Sequence, residues 1–112
     1  MITNREAVAK INKLLDSDFD PNIYSEHWNY PDQQFATYSG LKAKQFVNKI
    51  LKQFGDLAEE YIDGKGQHEV RVFIDNWAYK IFIADLLDFS TIVIFSIWKS
   101  DMTLEEWAAE EQ

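Results

Sequence analysis

Apolar positions in the first fifteen residues recur at helical spacing. Val8, Ile11, Leu14 and Leu15 follow Thr3 and Glu6, which stand in the capping-box relation, and together they predict a helix from about Asn4 to Leu15. A second stripe, Ala43, Phe46, Val47, Ile50, Leu51 and Phe54, predicts another helix with Ser39 as its cap and Gly55 as its stop. Lys42, Lys49 and Lys52 share its opposite face, and Lys44 flanks it. Asp56 can restart a short helix through Leu57, Ala58, Tyr61 and Ile62, which the Gly64-Lys65-Gly66 turn would end.

The period then changes to two. Val70, Val72 and Ile74 alternate with Glu69, Arg71 and Asp75, and Trp77, Tyr79, Ile81 and Ile83 continue the alternation, which predicts two half-buried strands. A turn at Asp75-Asn76 would pair Ile74 with Trp77, Val72 with Tyr79 and Val70 with Ile81, and would also set Arg71 against Lys80. A longer loop that pairs Val72 with Ile81 and Arg71 with Phe82 avoids the like charges and buries the same face, so both registers stay open. Thr91 to Trp98 is β-branched and aromatic on both faces, as expected of a strand covered on two sides. Asp101 or Thr103 can cap a final helix with Leu104, Trp107 and Ala108 on its apolar edge and Glu105 to Glu111 outside. The expected fold is α+β: N-terminal helices on a small antiparallel sheet of about three strands, followed by a short C-terminal helix, in a single domain spanning 1–112.

Between the first two helices, residues 16–38 show no period and contain five acids, six aromatics, two prolines and no Lys or Arg. This reads as an ordered, irregular segment, and long segments of that kind are often functional. The chain carries a net charge of −8, and the charge is segmented. Acids dominate 16–38, 55–75 and 103–112, whereas 39–54 holds four lysines and no acid. A field of that overall sign repels phosphate backbones and anionic lipid and attracts basic surfaces, so direct nucleic-acid binding is disfavoured. The absence of Cys excludes disulfides, thiolate metal sites and thiol catalysis and fits a reducing, cytoplasmic setting. The apolar runs are too short to span a bilayer, and neither a signal core nor a lipidation box is expected.

The sequence holds little recognisable chemistry. Asp16, Asp18 and Asp20 fit the first three ligand positions of a calcium loop, but Pro21 stands at the required glycine and His27 at the bidentate glutamate, so a solvated turn is the better reading. His27 and His68 have no partner at metal-ligand spacing, and no nucleophile elbow or phosphate-binding glycine motif occurs. No catalytic residue, cofactor or metal is expected.

The expected function is a non-catalytic acidic module, an inhibitor or immunity-type protein, that occupies a basic site on a partner protein, with mimicry of nucleic acid as one form. The candidate binding residues are Asp16, Asp18, Asp20, Tyr24, Glu26, Trp28, Tyr30, Asp32, Asp56, Glu59, Glu60 and Asp63, because carboxylates beside aromatic rings combine steering with contact area. Two alternatives are a small-molecule site or enzyme with an aromatic pocket between sheet and helices, and a homo-oligomer assembled through Thr91 to Trp98.

Overall fold

The computed structural model describes residues 2–25, 32–62 and 67–99. The first helix, α1 (Asn4–Leu15), forms where the periodicity places it. The Thr3 hydroxyl accepts the Glu6 backbone N–H at 3.1 Å, which satisfies one of the free donors of the first turn. Asp16 ends the helix in the left-handed region at φ 50, with its N–H returned to the Asn12 carbonyl.

The second helix, α2 (Ala43–Phe54), is capped differently from expectation. Ser39 belongs to the preceding strand, and Lys42 holds the N-cap position with no side-chain bond. The cap comes from Asp85, whose Oδ1 accepts the Lys42 and Ala43 backbone N–H groups at 3.0 and 3.1 Å. Gly55 stops α2 as predicted, at φ 55.

The sheet has five antiparallel strands rather than about three, in the order β1-β5-β4-β3-β2: β1 (Gln33–Ser39), β2 (Ala58–Ile62), β3 (His68–Ile74), β4 (Trp77–Asp85) and β5 (Ser90–Lys99). The two unforeseen strands are its two edges. Segment 16–38 ends in β1, and the short helix expected after Asp56 is instead a single 3₁₀ turn, Gly55–Leu57, followed by β2. Neither edge carries a strand signature of its own. β1 puts Gln34, Ala36 and Tyr38 on one face and Gln33, Phe35 and Thr37 on the other, so polar and apolar residues mix on both. In β2 the spacing of Leu57, Ala58 and Tyr61 imitates a helix, and pairing with β3 overrides it. The expected C-terminal helix falls on 101–112, outside the described residues.

Of the two hairpin registers, the tight one forms: Ile74 opposes Trp77, Val72 opposes Tyr79 and Arg71 opposes Lys80. β5, the strand expected to be covered on both sides, lies between β1 and β4, with Phe95 buried on one face and Ser96 and Trp98 on the other. Both helices cover one face. Val8, Ile11 and Leu15 of α1 and Phe46, Val47 and Ile50 of α2 are buried with Val70, Val72, Tyr79, Ile81, Val93, Phe95 and Ile97 of the sheet. Each aliphatic chain buried this way contributes about 1.5–3 kcal/mol relative to exposure.

The connection from β1 to β2 carries the chain from one sheet edge to the other. Four strand spacings measure about 19 Å, and twelve helical residues rise about 18 Å. α2 therefore has the length needed to cross beneath the sheet, and it touches β2, β3 and β4 on the way. This crossing decides where the charged segments end up.

Candidate functional site

The segment after α1 is irregular yet firmly held, and amide side chains hold it. Asn12 accepts the Ser17 hydroxyl at 2.9 Å and the Phe19 N–H at 2.8 Å through Oδ1, and its Nδ2 donates to the Phe19 carbonyl at 2.9 Å. Gln34 of β1 clamps Asp20, accepting its N–H at 2.8 Å and donating to its carbonyl at 2.9 Å. Asn4 donates to the Pro21 carbonyl at 2.9 Å and accepts the Tyr79 hydroxyl at 2.7 Å. Side-chain bonds of this kind replace the backbone pairing that an irregular segment lacks. Sequence reading missed Asn12, Gln34 and Asn4 because an amide signals nothing until its partner is known.

The clamp divides the segment into an inward and an outward set. Phe19 is buried and stacks on Phe95 with ring centroids 4.6 Å apart, while its neighbours Asp16, Asp18 and Asp20 are exposed. None of these three carboxylates meets a cation among the described residues. The charges of Asp16 and Asp18 reach the Tyr38 hydroxyl: burial raises that phenol's pKa, the Ser17 hydroxyl opposes the rise, and the two carboxylates add to it. Asp20 sits lower on the same edge at Gln34, and exposed Asp32 directly precedes β1. These four acids form a rim along the β1 edge, and Phe35, on the opposite face of the strand, is also exposed.

The remaining candidates lie elsewhere. Tyr24 meets Trp77 edge to face at 5.0 Å, at the end of the sheet where β3 turns into β4. Asp56, Glu59 and Glu60 lie on or next to β2, the opposite edge. Glu60 is occupied there, with Oε1 3.2 Å from His68 Nδ1, and Glu59 is the cross-strand neighbour of Arg71. Glu26, Trp28, Tyr30 and Asp63 fall outside the described residues. The described acidic candidates thus form two rims separated by the width of the sheet, not one face.

Between the rims, the helical layer is basic. The lysine-bearing face of α2 is joined by α1, and Lys10, Lys13 and Lys49 border a surface groove of about 470 Å³ with Leu14 and Gln53. α2 contains no acid, so the molecule is polar in charge despite its net value. The space between helices and sheet is filled by the core side chains, with Tyr79 and Phe95 fully buried there. Among the described residues, no three His, Asp or Glu side chains converge as a metal site would require, and no helix is long and apolar enough to cross a membrane.

This geometry defines a two-layer α+β domain whose distinctive surface is an acidic, clamped rim on an edge strand. No family model, curated protein or solved structure matches the chain.

Proposed function

We propose that the protein is a non-catalytic binding module that sets its acidic β1 edge against a basic site on another protein, as an inhibitor or immunity protein does. One observation carries the reading: Asp16, Asp18 and Asp20 project from a backbone fixed by Asn12 and Gln34 and have no cation of their own among the described residues. Carboxylates fixed in advance lose little freedom on binding, and their field steers a basic partner toward the edge. The two acidic rims lie on opposite sides of a basic layer, so mimicry of a continuous phosphate row is not part of the proposal. A reducing cytoplasm is the setting that the cysteine-free composition suits.

The test uses the full chain immobilised in native extract, with the retained protein identified and its binding kinetics measured at low and high salt. The association rate should fall as salt rises, and Asp16→Asn/Asp18→Asn/Asp20→Asn should slow association and flatten that dependence. Asp56→Asn, on the far rim, should leave both unchanged. Equal association at both salt concentrations, or a triple variant that behaves as wild type, would overturn the reading.

A further inference from the structure

The β4–β5 hairpin ends in an ordered apolar tip. Leu87 is 101% exposed and Phe89 73%, with Leu86 at 40%. The loop that presents them is fixed by the Leu86 N–H to the Ser90 carbonyl at 2.8 Å and the Phe89 N–H to the Leu86 carbonyl at 3.0 Å. Asp88 adds to this by accepting the Ser90 N–H at 3.1 Å and the Ser90 hydroxyl. Phe89 closes the loop at φ 64, in the left-handed region where hairpin loops ordinarily place Gly or Asn and where an aromatic side chain is a steric outlier. The chain accepts this strain for a ring that contributes nothing to the core.

A second loop reinforces the tip. Bonds from the Lys42 N–H to Asp85 at 3.0 Å and between the Thr91 hydroxyl and the Gly40 carbonyl at 2.7 Å bring Leu41, itself 55% exposed, to the base of the hairpin. Four large apolar side chains thus stand at one end of the sheet. Asp16 and Asp18 lie toward that end, since their charges act on the hydroxyl of Tyr38, the cross-strand partner of Thr91.

Three occupants can be weighed. Tip-to-tip contact between two copies would engage four residues a side where stable interfaces use roughly 20–30, and two chains of net charge −8 repel one another. A lipid surface would have to take up Asp88, whose carboxyl pKa is lowered by the Ser90 hydrogen bonds and which therefore stays charged at the very tip. A concave protein surface meets both demands, because it can be apolar where Leu87 and Phe89 enter and cationic where Asp88 remains. We infer that the hairpin tip is the apolar anchor of the binding surface, seating Leu87 and Phe89 in a hydrophobic pocket of the partner protein while a Lys or Arg at the pocket rim meets Asp88. The inference rests on the binding-module reading and adds the socket's chemistry: acids along β1 set the rate of encounter, and the tip sets the lifetime of the complex.

The experiment places the photocrosslinker benzoylphenylalanine at position 87 of the full chain, with position 48 on α2 as the control, and irradiates cells that express it. The expected result is an adduct specific to position 87 that maps to an apolar pocket bordered by Lys or Arg. Leu87→Ser/Phe89→Ser should then speed dissociation from that partner by about 30-fold or more and leave the association rate and its salt dependence as in wild type. Adducts with a second copy, with lipid, with a polar surface, or no more than the control would overturn the inference, as would unchanged dissociation. The outcome is separable from the test of the acidic rim, because a rim that fails changes association and its salt dependence while a tip that fails changes dissociation. A double variant that melts no lower than wild type shows that neither side chain supports the fold.

Discussion

Arg71 and Lys80 face each other across β3 and β4, and Glu69 holds both. Its Oε2 accepts from Arg71 Nε, its Oε1 lies 3.3 Å from Lys80 Nζ, and the Arg71 guanidinium lies 4.1 Å from the centre of the Tyr61 ring. Two cations that would repel are thereby converted into a bridged set on a largely buried face, where Arg71 is only 6% exposed. Glu69→Gln removes the anion that the two cations share. We expect a loss of about 2 kcal/mol of stability, read as a lower urea midpoint with an unchanged slope. A variant as stable as wild type would show that the carboxylate does not offset the repulsion.

Asp85 caps α2 from a distant strand, so its loss should loosen the helix and the hairpin base together. Asp85→Ala is expected to cost about 1–2 kcal/mol. Hydrogen exchange supplies the specific readout: the Ala43 amide should lose protection, the Lys42 amide, which also donates to the Thr91 hydroxyl at 2.7 Å, should lose less, and those at the C-terminal end of α2 should keep theirs until global unfolding. Uniform loss along α2 would contradict a local cap.

Phe89→Gly relieves the left-handed strain at an exposed position, partly offset by the greater freedom of Gly in the unfolded chain. A net gain of about 0.5–1 kcal/mol is expected, visible as a melting temperature higher by about 2–4 °C. The same substitution removes half of the proposed anchor, so stability and binding should move in opposite directions. A variant that melts below wild type would mean that the ring stabilises the hairpin.

Alkaline pH should destabilise the fold through Tyr79. Its phenol is buried against Asn4, and burial, with a smaller contribution from the Asp75 charge, raises its pKa well above the ordinary tyrosine value. The folded state keeps the proton while the unfolded chain releases it from about pH 10. The contribution is therefore fully present below that pH and is lost as pH rises further. Tyr38, raised in the same direction mainly by burial, adds to the effect. Denaturation followed between pH 8 and 11.5 should show stability falling above about pH 10, and Tyr79→Phe should reduce the slope. An unaltered slope would place the alkaline sensitivity elsewhere.

Legibility in the sequence followed how far each determinant lies along the chain. The Thr3 cap, the stripe from Ala43 to Phe54, the stop at Gly55 and the alternation from Val70 to Ile83 all rest on neighbours within a few residues, and each appears in the structure where the pattern places it. The hairpin register could not be settled by opposing charges alone, because the anion that resolves it, Glu69, is identified only once both strands are paired. The reading of residues 16–38 as ordered and irregular holds for 16–25, where the clamps were invisible, but residues 33–38 belong to β1 through pairing with β5.

The amino-acid order alone determined the two helices, the central hairpin, the apolar β5 strand and the alternation of acidic and basic segments, since periodicity and local charge are properties of adjacent residues. Tertiary structure alone decided that β1 and β2 are strands, that Asp85 caps a helix more than forty residues earlier, and that two acidic segments stand at opposite edges with lysines between them. The physical reason is the crossing of α2: a helix about as long as the sheet is wide carries its two flanking segments to opposite edges, and no local pattern of hydrophobic and polar residues encodes that distance.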